Sequence, residues 1–338
     1  MNTKNLFFVA VAGMALTACS FEERTLEYEN QSPEELHVCA TMGEMTVTRG
    51  TNTSLQSTEL LASSAPAVYV CKAGKTAVDG GYFYKNLVVN TSSGIAATTG
   101  LLTFNPTETL YWPQDKTGVD VYVYAPIQSA LNDINADVTF AVSTSQYNDA
   151  NYQASDFVWG KKSKTYNTYD NMRSTTNTID VVMDHLLSKV IFSIKDKNGN
   201  YVSDLKKVEL GATGSGNGII KEVKINMSTG GLTPCTAEDV ITFLDVATTG
   251  SDASPATTSA VAGVIPPQDI FGKTLTITIG TQTYTGTIPD ISGTSSNTAT
   301  LAGKNEYTFN VELDQASFNI TGITINAWTS NTKNMSVQ

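Results

Sequence analysis

Residues 36–50 read Leu-His-Val-Cys-Ala-Thr-Met-Gly-Glu-Met-Thr-Val-Thr-Arg-Gly and form the strand-like stretch from which the rest of the chain is best understood. Apolar side chains occupy every second position, and the phase shifts by one residue after Gly43 and Glu44. This apolar row consists of Leu36, Val38, Ala40, Met42, Met45 and Val47. Alternation with a period of two is typical of a strand with one covered face, and the phase shift indicates a β-bulge.

A basic residue and a small, polar run end this stretch. Arg49 is followed by Gly50-Thr51-Asn52-Thr53-Ser54, which has the composition of a segment that a protease can bind in extended form. Cleavage between Arg49 and Gly50 would turn the preceding strand into a removable one. The alternative is an ordinary first strand that leads into a loop.

The first residues have the pattern of a secretory signal, with Lys4 before an apolar run from Leu6 to Leu16. At about 1.5 Å per residue, this run is much shorter than the roughly 30 Å of a bilayer core, so we do not expect it to span a membrane. Residues 16–19, Leu-Thr-Ala-Cys, resemble the lipobox of bacterial lipoproteins. This resemblance implies that residues 1–18 are a signal peptide and that Cys19 becomes the lipid-bearing N-terminus, anchored in the outer membrane.

Residues 19–49 then comprise a tether and the removable strand. Ser20-Phe21-Glu22-Glu23 resembles the acidic tract with which some bacteria direct lipoproteins to the cell surface, and a solvated tether is the alternative.

Composition indicates a β-rich protein that does not bind nucleic acid. Charged residues make up only 16% of the chain, and Thr, Ser, Asn and Gly fill the polar positions, as they do on exposed strand faces and in turns. The formal net charge is -11, and no cluster of Lys and Arg is present that would neutralise phosphates.

Three cysteines follow Cys19, at positions 39, 71 and 235, without a CxxC pair. Their odd number and spacing favour free thiols on half-buried strands over a disulfide scaffold or a zinc site. A disulfide between Cys39 and Cys71 remains the alternative, and it would tie the first strand to the body of the protein.

The sequence has no motif for catalysis, a cofactor or a metal. Its two histidines, His37 and His185, lie far apart, and no HExxH, Walker A, GxGxxG or GxSxG pattern is present. We therefore expect a protein that is not an enzyme, with no cofactor and no metal. A glycosidase with two facing carboxylates needs no motif and stays open as a further alternative.

Alternating strands separated by turns run along the whole chain, which predicts an all-β fold of sandwich type. Val119 to Ala125 has apolar or aromatic residues on both faces and is predicted to be central in a sheet. The last strand-like stretch has an apolar row that shifts phase at Gly322: Phe318 and Ile320 precede this glycine, and Ile323, Ile325 and Ala327 follow it. A domain boundary is predicted near residue 184, giving residues 50–183 and 184–338.

An aromatic-rich polar stretch, Tyr147 to Tyr169, is the one candidate ligand site in the sequence. Aromatic rings among Asn, Ser and Lys can stack on sugars, so Tyr152, Trp159 and Tyr166 are candidate glycan contacts. This favours a surface glycan-binding lipoprotein as the alternative function. The other interpretation is a long loop whose aromatic residues fix it to the sheet.

Several motifs in this order resemble the fimbrillins, the pilins of type V pili and their accessory subunits. These are the lipobox at Cys19, Val47-Thr48-Arg49, residues 110–113 (Leu-Tyr-Trp-Pro) with the strand at 119–126, residues 185–190 (His-Leu-Leu-Ser-Lys-Val), residues 307–311 (Tyr-Thr-Phe-Asn-Val), and Gly322-Ile323-Thr324-Ile325 with Trp328. They span nearly the whole chain. Ala327-Trp328 differs from the Pro-Trp ending that is frequent in the family.

The resemblance implies two tandem β-sandwich domains of transthyretin-like or Ig-like Greek-key type. It implies export as a lipoprotein, cleavage after Arg49 by an Arg-specific protease, and release of the first strand. A strand from another fimbrial subunit would then fill the groove by donor-strand exchange, with Phe318, Ile320, Ile323 and Ile325 as the donor strand. The expected role is a fimbrial subunit in cell adhesion, either polymerising or in the stalk.

Overall fold

The computed structural model describes residues 34–42, 64–75, 81–90, 100–104, 107–128, 131–166, 178–214, 216–246, 260–292, 296–314 and 317–328. In this part of the chain, one short helix, α1 (Asp149–Ala154), accompanies nineteen strands. The strands are β1 (His37–Met42), β2 (Ala67–Lys72), β3 (Tyr82–Val88), β4 (Val119–Ala125), β5 (Asp137–Ala141), β6 (Val158–Lys164), β7 (Thr178–His185), β8 (Ser188–Asp196), β9 (Leu205–Leu210), β10 (Ile219–Ile220), β11 (Glu222–Asn226), β12 (Gly231–Pro234), β13 (Glu238–Asp239), β14 (Ile241–Asp245), β15 (Ala260–Ile265), β16 (Thr274–Ile279), β17 (Gln282–Thr287), β18 (Asn305–Leu313) and β19 (Phe318–Ala327).

The strands follow the predicted alternation, and the all-β sandwich class is confirmed. In β18, Tyr307 and Phe309 are buried on one face while Asn310 and Glu312 are exposed on the other. The central position predicted for Val119 to Ala125 is also correct, because every residue of β4 is buried. A strand covered on both faces must lie inside a sheet that packs on two layers.

The first large sheet has six strands in the order β1-β7-β6-β4-β2-β3. On one face, Val121 and Val123 of β4 join a core that also contains Val89, Leu102, Phe104, Leu110 and Trp112. On the other face, Tyr124 stacks on Phe157, and Phe157 packs edge-on against Phe140 of β5. The two faces of this sheet therefore belong to two separate hydrophobic cores.

Two four-stranded sheets form most of the remainder, with the orders β15-β8-β18-β19 and β14-β9-β16-β17. Phe192 of β8 contacts Phe243 of β14 and Phe309 of β18, with ring centroids 5.4 Å apart in both pairs. At the edge, Gly286 of β17 leaves room for Phe318 of β19, since a Cβ there would lie 2.6 Å from the Phe318 ring. The two sheets thus face each other across a common core.

One small sheet combines strands from both sides of the predicted boundary near residue 184. β11 and β12, from the C-terminal half, form a three-stranded sheet with β5, from the N-terminal half. The Trp159 indole nitrogen also donates a hydrogen bond to the Met227 carbonyl oxygen (2.8 Å). The division into 50–183 and 184–338 stays a prediction, and strands of both ranges share one core.

No helix within the described ranges is both long and apolar enough to cross a lipid bilayer.

Candidate functional site

β1 lies inside the fold with a pairing partner on each side. It pairs in parallel with β7, in a register that runs from His37 opposite Thr178 to Met42 opposite Met183. On its other side, four main-chain hydrogen bonds join β1 and Glu34 to two irregular segments. These bonds are Leu36 N to Leu110 O (2.8 Å), Ala40 N to Gly100 O (2.9 Å), Leu102 N to Val38 O (2.9 Å) and Trp112 N to Glu34 O (2.9 Å). We call the space between β7 and residues 100–102 and 110–112 the strand slot.

Leu36 and the apolar row of β1 fill the floor of the strand slot. Leu36, Val38, Ala40 and Met42 are all buried, with at most 7% of their surface exposed, and they join the core formed by the inner face of the six-stranded sheet. At about 1.5–3 kcal/mol for each of the three larger side chains and about 0.8 kcal/mol for Ala40, this burial contributes roughly 5–10 kcal/mol. The predicted alternation of residues 36–42 is confirmed.

Gly100 allows the wall of the strand slot to approach β1 closely. Its backbone has a φ of +67°, and a Cβ at this position would lie 2.5 Å from the Ala40 carbonyl oxygen. Both the left-handed backbone and the contact with β1 therefore require glycine. Sequence reasoning missed this residue, because nothing near Gly100 in the sequence indicates that β1 packs there.

The predicted donor residues Phe318, Ile320, Ile323 and Ile325 lie in β19, an edge strand that pairs antiparallel with β18. They lie opposite Leu313, Val311, Phe309 and Tyr307 respectively, so all four share the face that is directed toward the core. The register shifts between Ile320 and Gly322, as the predicted change of phase requires. Exposure rises along the row, from 8% at Phe318 to 48% at Ile325.

The end of β19 is fixed by Trp328. Its indole is buried and stacks on the His185 imidazole, with 3.9 Å between ring centroids. The Nδ1 atom of His185 lies 2.9 Å from Oδ1 of Asp156, which is also buried. Trp328 therefore packs at the end of β7, the strand that forms one side of the strand slot.

The aromatic residues predicted to contact a glycan do not form a shared exposed surface. Tyr152 lies in α1 and is fully buried, so it cannot stack on a sugar. Trp159 lies in β6 and is partly buried against the core, and the Tyr166 hydroxyl donates to a Glu34 carboxylate oxygen (2.7 Å). The long loop expected for this stretch is also wrong up to Lys164, because α1 and β6 occupy it.

Several predicted site residues lie outside the described residues. These are the lipid-attachment residue Cys19, the processing residues Arg49 and Gly50, and Met45 and Val47 of the released strand.

The three cysteines that the structure describes, Cys39, Cys71 and Cys235, are free thiols. Burial, with a smaller contribution from Asp120, raises the pKa of the Cys71 thiol to about 12. Burial also raises the pKa of Cys39 in β1. No group of three or more His, Cys, Asp or Glu residues in the described ranges is arranged to hold a metal ion.

Solved structures with this fold include proteins from two Bacteroides species. A protein from Bacteroides uniformis, assigned provisionally to cell adhesion, superposes with a TM-score of 0.60 at 19% identity, covering 87% of this chain and 99% of its own. A protein from Bacteroides ovatus with the same provisional assignment also has a TM-score of 0.60, at 17% identity, covering 89% and 100%. At these identities the likeness shows the fold alone.

No curated protein sequence matches this chain. The model of the fimbrillin-like family, in contrast, matches residues 47–328, which include the six-stranded sheet from β2 onward, the remaining sheets and Trp328. The chain therefore belongs to the fimbrillin-like family.

Proposed function

We propose that the protein is a structural subunit of a type V fimbria that serves cell adhesion. It is exported as a lipoprotein, held in the outer membrane at the cell surface by lipid on Cys19, cleaved after Arg49 and assembled with other subunits by donor-strand exchange. Membership of the fimbrillin-like family supports the general role. The position of β1 in the strand slot is the observation that supports the assembly step.

β1 is suited to replacement because it lies ahead of Arg49 in the sequence, whereas the other described strands follow Arg49. A cut after Arg49 would break the covalent link between β1 and β2, leaving non-covalent contacts to hold the strand. Departure of β1 would expose the edge of β7 and the apolar floor beside it. An open edge next to an apolar strip tends to pair with another strand, which is the driving force for joining subunits.

β19 is the proposed donor because it is an edge strand whose apolar row is only partly covered. Its Ile325 is 48% exposed. Insertion of such a row into the strand slot of a neighbouring subunit would bury apolar surface that is exposed to solvent in the monomer.

A protease experiment tests the assembly step sharply, because the chain contains three arginines, Arg24, Arg49 and Arg173. In an Arg173→Lys background, an Arg-specific protease can cut only in the N-terminal segment. We expect loss of the residues up to Arg49, detected by mass spectrometry, followed by ladders of subunits that resist SDS in unheated samples. The matched control, Arg49→Gln in the same background, should be cut at Arg24 and form no ladder.

Two results would contradict the assembly mechanism: retention of β1 by the trimmed chain after prolonged incubation, or trimmed protein that loses β1 and stays monomeric. The lipid anchor is tested separately by metabolic labelling with a palmitate analogue. Label should appear on the wild-type chain and be absent from Cys19→Ala, and labelling of that variant would rule out Cys19 as the attachment site.

A further inference from the structure

We propose that the strand slot contains a subsite for a negatively charged, hydrogen-bond-accepting side chain, located two residues before the first buried apolar side chain of the occupying strand. Tyr166, Trp112 and Lys116 form this subsite, and Glu34 occupies it in this structure. The inference rests on the proposed function only where it extends from β1 to a strand of another subunit.

Glu34 is held by both its main chain and its side chain. Its carbonyl oxygen accepts a hydrogen bond from the Trp112 backbone N–H (2.9 Å), and its Oε2 accepts one from the Tyr166 hydroxyl (2.7 Å). The next bond along the slot, from Leu36 N to Leu110 O (2.8 Å), begins the pairing of the strand itself. Glu34 thus lies in a defined position relative to the apolar row.

The Tyr166 ring is positioned by its neighbours. It packs edge-on against Trp112, with 5.5 Å between ring centroids, and Trp112 is itself buried in the wall of the strand slot. The Lys116 ammonium lies 5.3 Å from the centroid of the Tyr166 ring. A phenol hydroxyl donates a stronger hydrogen bond to a carboxylate than to an amide oxygen, and the Lys116 ammonium over the ring disfavours a Lys or Arg side chain at this position.

The subsite defines the register of the strand, which the apolar row alone leaves open. Side chains in a strand repeat every two residues, so a strand that slips by two positions still directs apolar groups into the floor of the slot. The Tyr166 hydroxyl removes this ambiguity, because a slip by two would place an apolar residue or an uncharged polar one opposite it, and the hydrogen bond to the Glu34 carboxylate would be lost. The subsite therefore sets the register of β1, and of any incoming strand that has a carboxylate at this position.

A double-mutant cycle on the uncut chain tests the subsite without any assembly. Amide hydrogen exchange of residues 36–42 is measured for wild type, Tyr166→Phe, Glu34→Ala and the double variant. Phenylalanine keeps the ring against Trp112 and removes only the hydroxyl. Each single variant should speed exchange about fivefold, as expected for a partly exposed charge-assisted hydrogen bond, and the double variant should be no faster than either single one.

Two matched controls accompany this cycle. Tyr111→Phe removes a hydroxyl from an exposed tyrosine on the same segment, and Glu35→Ala removes the carboxylate next to Glu34, which makes a solvent-exposed contact with His37 of β1 (3.6 Å). Neither should change the exchange of β1 more than about twofold. Single variants without effect, or effects that multiply to about 25-fold in the double variant, would overturn the subsite.

Peptide uptake by the trimmed chain then tests the extension to other strands. A synthetic peptide with the sequence of residues 34–49 and its Glu34→Lys form are offered to trimmed wild type and trimmed Tyr166→Phe. Wild type should bind the Glu34→Lys peptide at least tenfold more weakly than the unchanged one, and Tyr166→Phe should discriminate far less. Equal discrimination by both proteins would overturn the proposed selectivity.

The two measurements separate the subsite from the proposed function. A trimmed chain that keeps β1 and takes up neither peptide would contradict donor-strand exchange, whereas the exchange cycle on the uncut chain would still decide whether Tyr166 and Glu34 are coupled.

Discussion

Replacement of Gly100 by alanine should weaken the packing of β1 in the strand slot and so lower the free energy of unfolding. A residue with a Cβ in the left-handed region costs roughly 1–2 kcal/mol. The new Cβ would also lie 2.5 Å from the Ala40 carbonyl oxygen, so β1 has to move away. That movement distorts the hydrogen bond from Ala40 N to Gly100 O and the packing beneath it, at a cost of about 1–3 kcal/mol. We expect a total loss of about 2–5 kcal/mol.

Gly74→Ala is the matched control. Gly74 has a φ of +69°, close to the +67° of Gly100, and a Cβ there would meet nothing within 4 Å. It should therefore lose only the backbone contribution of about 1–2 kcal/mol. Urea unfolding followed by tryptophan fluorescence, to which the buried Trp112 in the wall of the strand slot contributes, measures both variants. Equal losses of unfolding free energy would refute the close contact between Gly100 and β1.

Three further predictions concern thiols, the edge strand and the C-terminal tryptophan. Burial raises the pKa of Cys71 to about 12, so iodoacetamide at pH 8 should label Cys235 first and leave Cys71 unreacted. Cys39 should react only after β1 has left the strand slot. Peptide mass spectrometry gives the order of labelling, and early labelling of Cys71 would be inconsistent with its burial. Ile325→Ser should lower the unfolding free energy by only about 1 kcal/mol, because about half of the side chain is exposed already, yet it should reduce the SDS-resistant ladders; ladders of unchanged intensity would argue against β19 as the donor. Trp328→Ala should lose about 3–5 kcal/mol in urea unfolding, since the indole is fully buried, and a loss below about 1 kcal/mol would contradict that packing.

The local features of the fold were predictable because strand periodicity is a property of consecutive residues. The row Leu36 to Met42, the doubly covered strand β4 and the change of phase at Gly322 all appear in the structure as the alternation indicates. Each prediction needed only the order of apolar and polar side chains within about ten residues.

The burial of the aromatic residues between Tyr147 and Tyr169 could not be predicted from local alternation. Polar neighbours made Tyr152 look accessible, yet α1 places it in the core and buries it fully. The pairing of β5 with β11 shows the same limit, because these two strands lie about 80 residues apart in the chain. Neither outcome depends on residues that are close in sequence.

The sequence by itself determined that residues 36–42 form a strand with one apolar face, since a period of two leaves no other way to bury that row. Only the tertiary structure decided that β1 pairs in parallel with β7, passes against Gly100 and binds Tyr166 through Glu34, a contact between residues 132 positions apart. The physical reason is that alternation specifies which face of a strand is covered, whereas the covering residues are selected by the packing of the whole chain.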